Sequence, residues 1–137
     1  MFKRLLKLST ISFFILLIGA ESSCKKAPKA CEDFKIGKFK YKNTALSQWV
    51  VIRNDSLQIE QNMNTGAKVV SRINWQSECH YTLEFLGEKG FPSNHKSDES
   101  AIEIIDVEIL EVSADGYKYQ ATGPKNSTIS WMIKLSY

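Results

Sequence analysis

Histidine and cysteine are scarce, with two of the first and three of the second in 137 residues. No Cys-x-x-C pair and no His-Glu-x-x-His segment occurs, so the ligand spacings of common zinc sites are missing. There is no Gly-x-Ser-x-Gly elbow, no Walker loop and no dinucleotide fingerprint. These absences give no enzyme class a foothold. The expectation is a non-catalytic protein without cofactor or metal. Sustained helical periodicity of apolar residues is missing beyond the first twenty positions. A basic excess is missing as well once the N-terminal segment is set aside. Residues 1–23 carry Lys3, Arg4, Lys7 and Glu21, and without them the net charge falls from +3 to +1. A nucleic-acid binder keeps its basic surplus in the folded domain, so no nucleic-acid partner is expected.

What is present begins with a targeting pattern. Lys3, Arg4 and Lys7 form a positive start, and Leu8 to Ala20 is an apolar run centred on Phe13 to Ile18. That run is too short for a bilayer core, which takes roughly 20 residues, and it fits the roughly 7–15 residues of a secretory signal. Residues 1–23 thus read as a lipoprotein signal peptide and Cys24 as the lipidated N-terminus. Residues 24–30 read as a polar tether containing Pro28. Ser22 and Ser23 supply the small residues ahead of Cys24, although Glu21 departs from the usual leucine of a lipobox. Cleavage after Ala20 would instead leave a soluble exported protein with a spare thiol. The anchored reading places the protein at a membrane, facing the periplasm or the cell surface. If Cys24 carries lipid, Cys31 and Cys79 remain, and an oxidising compartment allows them to pair.

From residue 31 to residue 137 the pattern is β. Strands are expected at about 34–42, 48–53, 56–63, 67–75, 79–86, 101–112, 117–122 and 128–135, with the longest loop at 87–100. A phase slip at Gly37-Lys38 suggests a bulge, as does the parity change between Ile104 and Ile105. Asn54-Asp55 reads as a two-residue hairpin turn, Asn64-Thr65-Gly66 as a three-residue one, and Asp115-Gly116 as a tight turn. Leu57, Ile59 and Met63 are assigned to the core face of the third strand. Ile129, Trp131, Ile133 and Leu135 are assigned to that of the eighth. About eight antiparallel strands joined by short hairpins close into a small barrel or curl into a half-barrel, lipocalin-like in architecture.

The segments Cys31-Glu32-Asp33-Phe34-Lys35-Ile36-Gly37-Lys38-Phe39, Arg53, Gln58-Ile59-Glu60 and Ile73-Asn74-Trp75 with Cys79-His80-Tyr81 form a pattern across half of the domain. It resembles that of a family of small, uncharacterised lipoproteins from Bacteroidetes. Members of that family sometimes carry the label DNA topoisomerase IV. A topoisomerase needs a tyrosine nucleophile in a large DNA-cleaving domain with access to the chromosome. An exported domain of this size offers neither, so the label reads as a naming error.

Six aromatics, Trp49, Trp75, Tyr81, Tyr117, Tyr119 and Trp131, are the candidates for lining a ligand cavity, with core packing as their alternative role. Glu78-Cys79-His80 looks like a ligand cluster, but successive strand residues point to opposite faces, which disfavours convergence on one ion. His95 near Asp98 and Glu99 in the long loop reads as a solvated segment. Asp55-Ser56-Leu57 matches the Asp-[Ser/Thr]-aliphatic form of Bacteroidetes O-glycosylation, which makes Ser56 a candidate acceptor. The functional expectation is a membrane-anchored module binding a small apolar ligand or an envelope protein. The alternative is a structural or envelope-stress protein with no ligand.

Overall fold

A computed structural model describes residues 29–94 and 103–136. The segment expected to be a signal peptide, Cys24, most of the expected tether and His95 lie outside them. Eight antiparallel strands form a closed barrel in simple meander order. They are β1 (Gly37–Tyr41), β2 (Trp49–Arg53), β3 (Leu57–Asn62), β4 (Lys68–Ser77), β5 (His80–Lys89), β6 (Ile104–Val112), β7 (Gly116–Thr122) and β8 (Ser127–Lys134). Closure comes from β1 pairing with β8, Phe39 opposite Lys134 and Tyr41 opposite Met132. No strand of the barrel is left with an unpaired edge, the feature that makes open sheets aggregate.

The up-and-down order sorts the connections between two ends. The β1–β2, β3–β4, β5–β6 and β7–β8 connections share one end. The chain's entry and the β2–β3, β4–β5 and β6–β7 connections share the other. The entry is a 3-10 helix, η1 (Cys31–Phe34), where a first strand was expected to begin. Its Phe34 is buried, and the Cys31–Cys79 disulfide ties the helix to the β4–β5 hairpin. That bridge closes 48 residues of chain, which stabilises the fold by roughly 4 kcal/mol in the chain-entropy picture. Gly37 is therefore not a bulge. It is the corner between lid and barrel, with φ of +142°, a conformation side-chain-bearing residues rarely adopt. At the same end Gly116 lets β7 start against β8, because a Cβ there would stand 2.2 Å from the Met132 carbonyl oxygen.

Other register details also differ from the sequence pattern. The β6 irregularity falls between Ile109 and Glu111 rather than at Ile104–Ile105. The β2–β3 turn sets Arg53 opposite Gln58. The Asn54 carboxamide oxygen organises that turn by accepting from the backbone N–H groups of Ser56 and Leu57, 3.0 and 2.7 Å away.

The larger correction concerns which face is inside. Directly paired residues share a face. Arg53 opposite Gln58 and Val51 opposite Glu60 put Gln58, Glu60 and Asn62 into the barrel, with Leu57 and Ile59 outside. Tyr117 opposite Met132 and Tyr119 opposite Ser130 do the same for β8. Thr128, Ser130, Met132 and Lys134 face inward, and Ile129, 56% exposed, stands outside with Trp131 and Ile133. The apolar-inward rule fails on these two strands because the barrel interior is itself partly polar. On β4, β5 and β7 the apolar set does face inward, with Ile73, Tyr81, Leu83 and Tyr117 buried.

Candidate functional site

The entry end of the barrel is filled. Arg53, at the end of β2, is 2% exposed and holds its guanidinium in the centre of a ring of acceptors. Its Nε and Nη2 donate to Gln58 Oε1 at 3.1 and 2.7 Å. Nη1 donates to the Phe34 carbonyl at 3.0 Å. Nη2 also reaches the hydroxyls of Tyr81 and Tyr117, at 3.1 and 3.0 Å. The guanidinium carbon lies 4.9 Å from the ring centres of both Phe39 and Tyr81. Burial penalises this cation, but the facing phenol oxygens of Tyr81 and Tyr117 outweigh that penalty and raise its pKa above the ordinary value. The same burial pushes Tyr81 well above the ordinary tyrosine range, with Arg53 acting in the opposite direction. Phe34 caps the cluster, its ring 5.4 Å from that of Tyr117. Among the described residues, every buried side-chain nitrogen and oxygen has a hydrogen-bond partner. Such a buried polar network fixes one packing arrangement.

At the opposite end the described residues leave a hollow. Tyr41, Trp49, Glu60, Val69 and Glu88 from β1 to β5, with Leu46 and Phe91 from the connections, line a cavity of about 320 Å³. Trp49 and Phe91 stack with ring centres 6.4 Å apart and planes at 26°. Leu46 belongs to η2 (Thr44–Leu46), a 3-10 turn capped by the Asn43 side chain, and is 38% exposed. The same Trp49–Phe91 pair also borders a second hollow of about 450 Å³ that runs past Asn62 and Ala67. At the floor, Glu60 accepts from the Tyr41 hydroxyl at 2.8 Å and from the Gln58 amide at 3.0 Å. Burial first, and Glu60 second, raise the Tyr41 pKa, so this phenol stays a donor. Gln58 joins the two ends, accepting from Arg53 through Oε1 and donating to Glu60 through Nε2.

The six aromatics of the sequence pattern therefore separate. Trp49 lines the cavity. Trp75 and Tyr81, with ring centres 4.6 Å apart, and Tyr117 and Tyr119 at 5.9 Å, pack in the barrel core. Trp131 is on the outer wall, where Lys42 Nζ lies 5.4 Å from its ring centre and the ring lines a separate hollow of about 640 Å³ with Lys40, Asn43 and Asp115. Tyr41, Leu46, Glu88 and Phe91 were not singled out as ligand contacts. For Tyr41 the signal was its alternation with Phe39. Leu46 and Phe91 sit in connections, where periodicity carries no information. Ser56 is exposed in the β2–β3 turn. His80 lies 2.7 Å from Asp106 across the β5–β6 pair, on the outer surface. Among the described residues, no group of three or more histidine, cysteine, aspartate or glutamate side chains is placed to hold a metal ion. No protein-family model, curated protein or solved structure matches the chain.

Proposed function

We propose that this chain is an exported, lipid-anchored binding protein whose barrel takes a small ligand at its open end and does no chemistry on it. The observation that carries this reading is the asymmetry of the barrel. One end is plugged by satisfied side chains, and the other keeps a concave, largely apolar hollow with a few polar groups converging at its floor. That combination is the usual form of a small-molecule site.

The location in the cell envelope rests on the N-terminal pattern and the cysteines. With Cys31 and Cys79 bonded to each other, Cys24 is the one cysteine left for lipid. A disulfide also suits an oxidising compartment. The resemblance to Bacteroidetes lipoproteins agrees with this location. Membrane association is by lipid, the partner is a small ligand or an envelope protein, and nucleic acid is not among the partners.

Native mass spectrometry of the membrane-extracted protein tests the binding reading. A bound mass that disappears in Trp49→Leu supports it. A clean ligand-free mass, with no partner captured by crosslinking, favours a purely structural or envelope-stress role. Palmitate labelling that is lost in Cys24→Ser tests the anchor, and labelling that persists in that variant overturns it.

A further inference from the structure

The seam where β1 meets β8 closes the barrel and also shapes its outer wall. Phe39 is buried inside, so alternation puts Lys40 on the outer face, opposite Ile133. Just past the end of β1, the Lys42 backbone N–H donates to the Trp131 carbonyl at 3.0 Å, which holds the start of the β1–β2 connection beside that indole. At the other end of the seam the Asp115 carbonyl accepts from the Lys134 backbone N–H at 2.7 Å, which holds the β6–β7 connection there. These pieces border the hollow of about 640 Å³ beside Trp131. Lys40 and Lys42 face it from outside the wall, whereas the Tyr41 hydroxyl is turned inward to Glu60. This hollow and the one in front of Glu60 therefore lie on opposite sides of β1.

The outer hollow is rich in donors that the barrel does not use. Among the described residues, neither Lys40 nor Lys42 is bridged to a carboxylate. Lys42 lies over the Trp131 ring instead. The Thr44 and Ser47 hydroxyls have no hydrogen-bond partner among the described residues. Asn43 uses its carboxamide oxygen to accept from the Ala45 N–H at 3.0 Å, which leaves its amide N–H donors to the hollow. The carboxylate at the hollow is Asp115, and it already accepts from the Ser113 hydroxyl at 3.0 Å. Two ammonium groups thus stand against one carboxylate, and the hollow is electropositive. On the far side of Trp131, Lys118 is opposite both Trp131 and Glu111, so that flank is balanced.

An indole surface suits the C–H side of a hydroxylated ring, and the surrounding donors suit its hydroxyl oxygens. An ammonium group that stands over the indole is placed to meet an anionic group carried on that same ring, and the charge-assisted bond is the stronger kind. A hydrocarbon body finds little cover here, because Trp131 and Ile133 are the apolar side chains on the outer face. We infer that the outer hollow beside Trp131 binds an acidic saccharide, its carboxylate held by Lys40 and Lys42 and its ring set beside the indole. A volume of about 640 Å³ is within the range of small-molecule sites, roughly 300–1,000 Å³. The site is separate from the cavity in front of Glu60, and neither reading depends on the other.

The test is saturation-transfer NMR with tryptophan fluorescence on the full protein, extracted in a detergent that has no sugar headgroup. Three probes share a six-membered ring: methyl β-glucuronide, methyl β-glucoside, which lacks the charge, and cyclohexanecarboxylate, which lacks the hydroxyls. The glucuronide is expected to bind at least about fivefold more tightly than either of the others, with its lead over the glucoside shrinking as salt is added. Changing Lys40→Gln and Lys42→Gln together is expected to bring the glucuronide down to the affinity of the glucoside. Trp131→Leu is expected to remove binding of both sugars, and Trp49→Leu at the mouth to leave it unchanged. Should Trp131→Leu fold poorly, the exposed lysine pair carries the same comparison. Equal or tighter binding of the glucoside overturns the acidic class, and equal or tighter binding of cyclohexanecarboxylate overturns the saccharide. Binding that is lost in Trp49→Leu but kept in Trp131→Leu overturns the site. If no probe binds, the inference falls, and the reading of the mouth is still judged by the mass of whatever co-purifies.

Discussion

The two ends of the barrel are built from the same kinds of side chain, aromatic rings around a charged group, and they come out opposite. At the entry end the charge is Arg53, nearly fully buried, and its donors meet side-chain or backbone oxygens. At the far end the charge is Glu60, half-buried, with two donors on it and an open hollow of about 320 Å³ in front. The difference comes from coverage. A disulfide-tethered helix lies over Arg53 and supplies the Phe34 carbonyl and ring. Among the described residues, the groups from connecting loops near Glu60 are Leu46 and Phe91, which line the hollow. A guanidinium that must be desolvated needs full satisfaction. A carboxylate at a mouth can keep part of its capacity for a ligand.

If that contrast is correct, stability should reside at the plug and ligand recognition at the mouth. The largest expected effect is Arg53→Met, which strands the Phe34 carbonyl, Gln58 and two tyrosine hydroxyls at once. The expected loss is roughly 3–5 kcal/mol, read from urea unfolding at unchanged slope. A loss below about 1 kcal/mol would mean that the network adds little to stability. Next comes the double change Cys31→Ser with Cys79→Ser, expected to cost roughly 2–4 kcal/mol by freeing the lid. Its ligand affinity should be unchanged, because the disulfide and the cavity lie at opposite ends. A parallel fall in affinity would show that the two ends communicate, most directly through Gln58.

A smaller effect should appear in alkali. Tyr41 and Tyr81 are raised above the ordinary tyrosine pKa of 10.0, and burial pushes Tyr119 up to about 12. Below pH 10 all three are protonated whether the chain is folded or not, and their contribution is fully present. Above it the unfolded chain ionises first, so stability should fall as pH rises from about 10 through about 12. Phenolate absorbance followed alongside circular dichroism checks this. Ionisation well ahead of unfolding would place these rings in a looser interior. The smallest expected change in stability is at the mouth, where Trp49→Leu should cost no more than about 2 kcal/mol and yet remove most ligand binding.

Much of the fold was readable from residue pattern, and the misreadings share a cause. Alternation located all eight strands and gave the inward face correctly where that face is apolar, as along Tyr81 and Leu83 or Tyr117 and Tyr119. It inverted β3 and β8, because Gln58, Glu60, Ser130 and Lys134 look like solvent residues until a neighbour explains them. Nothing local to Gln58 states that a buried arginine will stand opposite it. At the mouth, Trp49 was legible as a candidate because an aromatic ring suits a cavity wall, whereas Leu46, Glu88 and Phe91 come to line the cavity only through closure of the barrel.

Strand positions and meander order were therefore already implied by the chain of amino acids, which allowed but did not fix the partnership of Cys31 with Cys79. The first two depend on period-two patterning and turn chemistry, both of which are local. Which faces line the barrel, which end is plugged and where the cavity lies depended on assembly. Arg53 meets the hydroxyl of Tyr117 across 64 residues of chain, and β1 closes on β8. A buried charge selects its surroundings from the whole molecule, and no local window of sequence contains them.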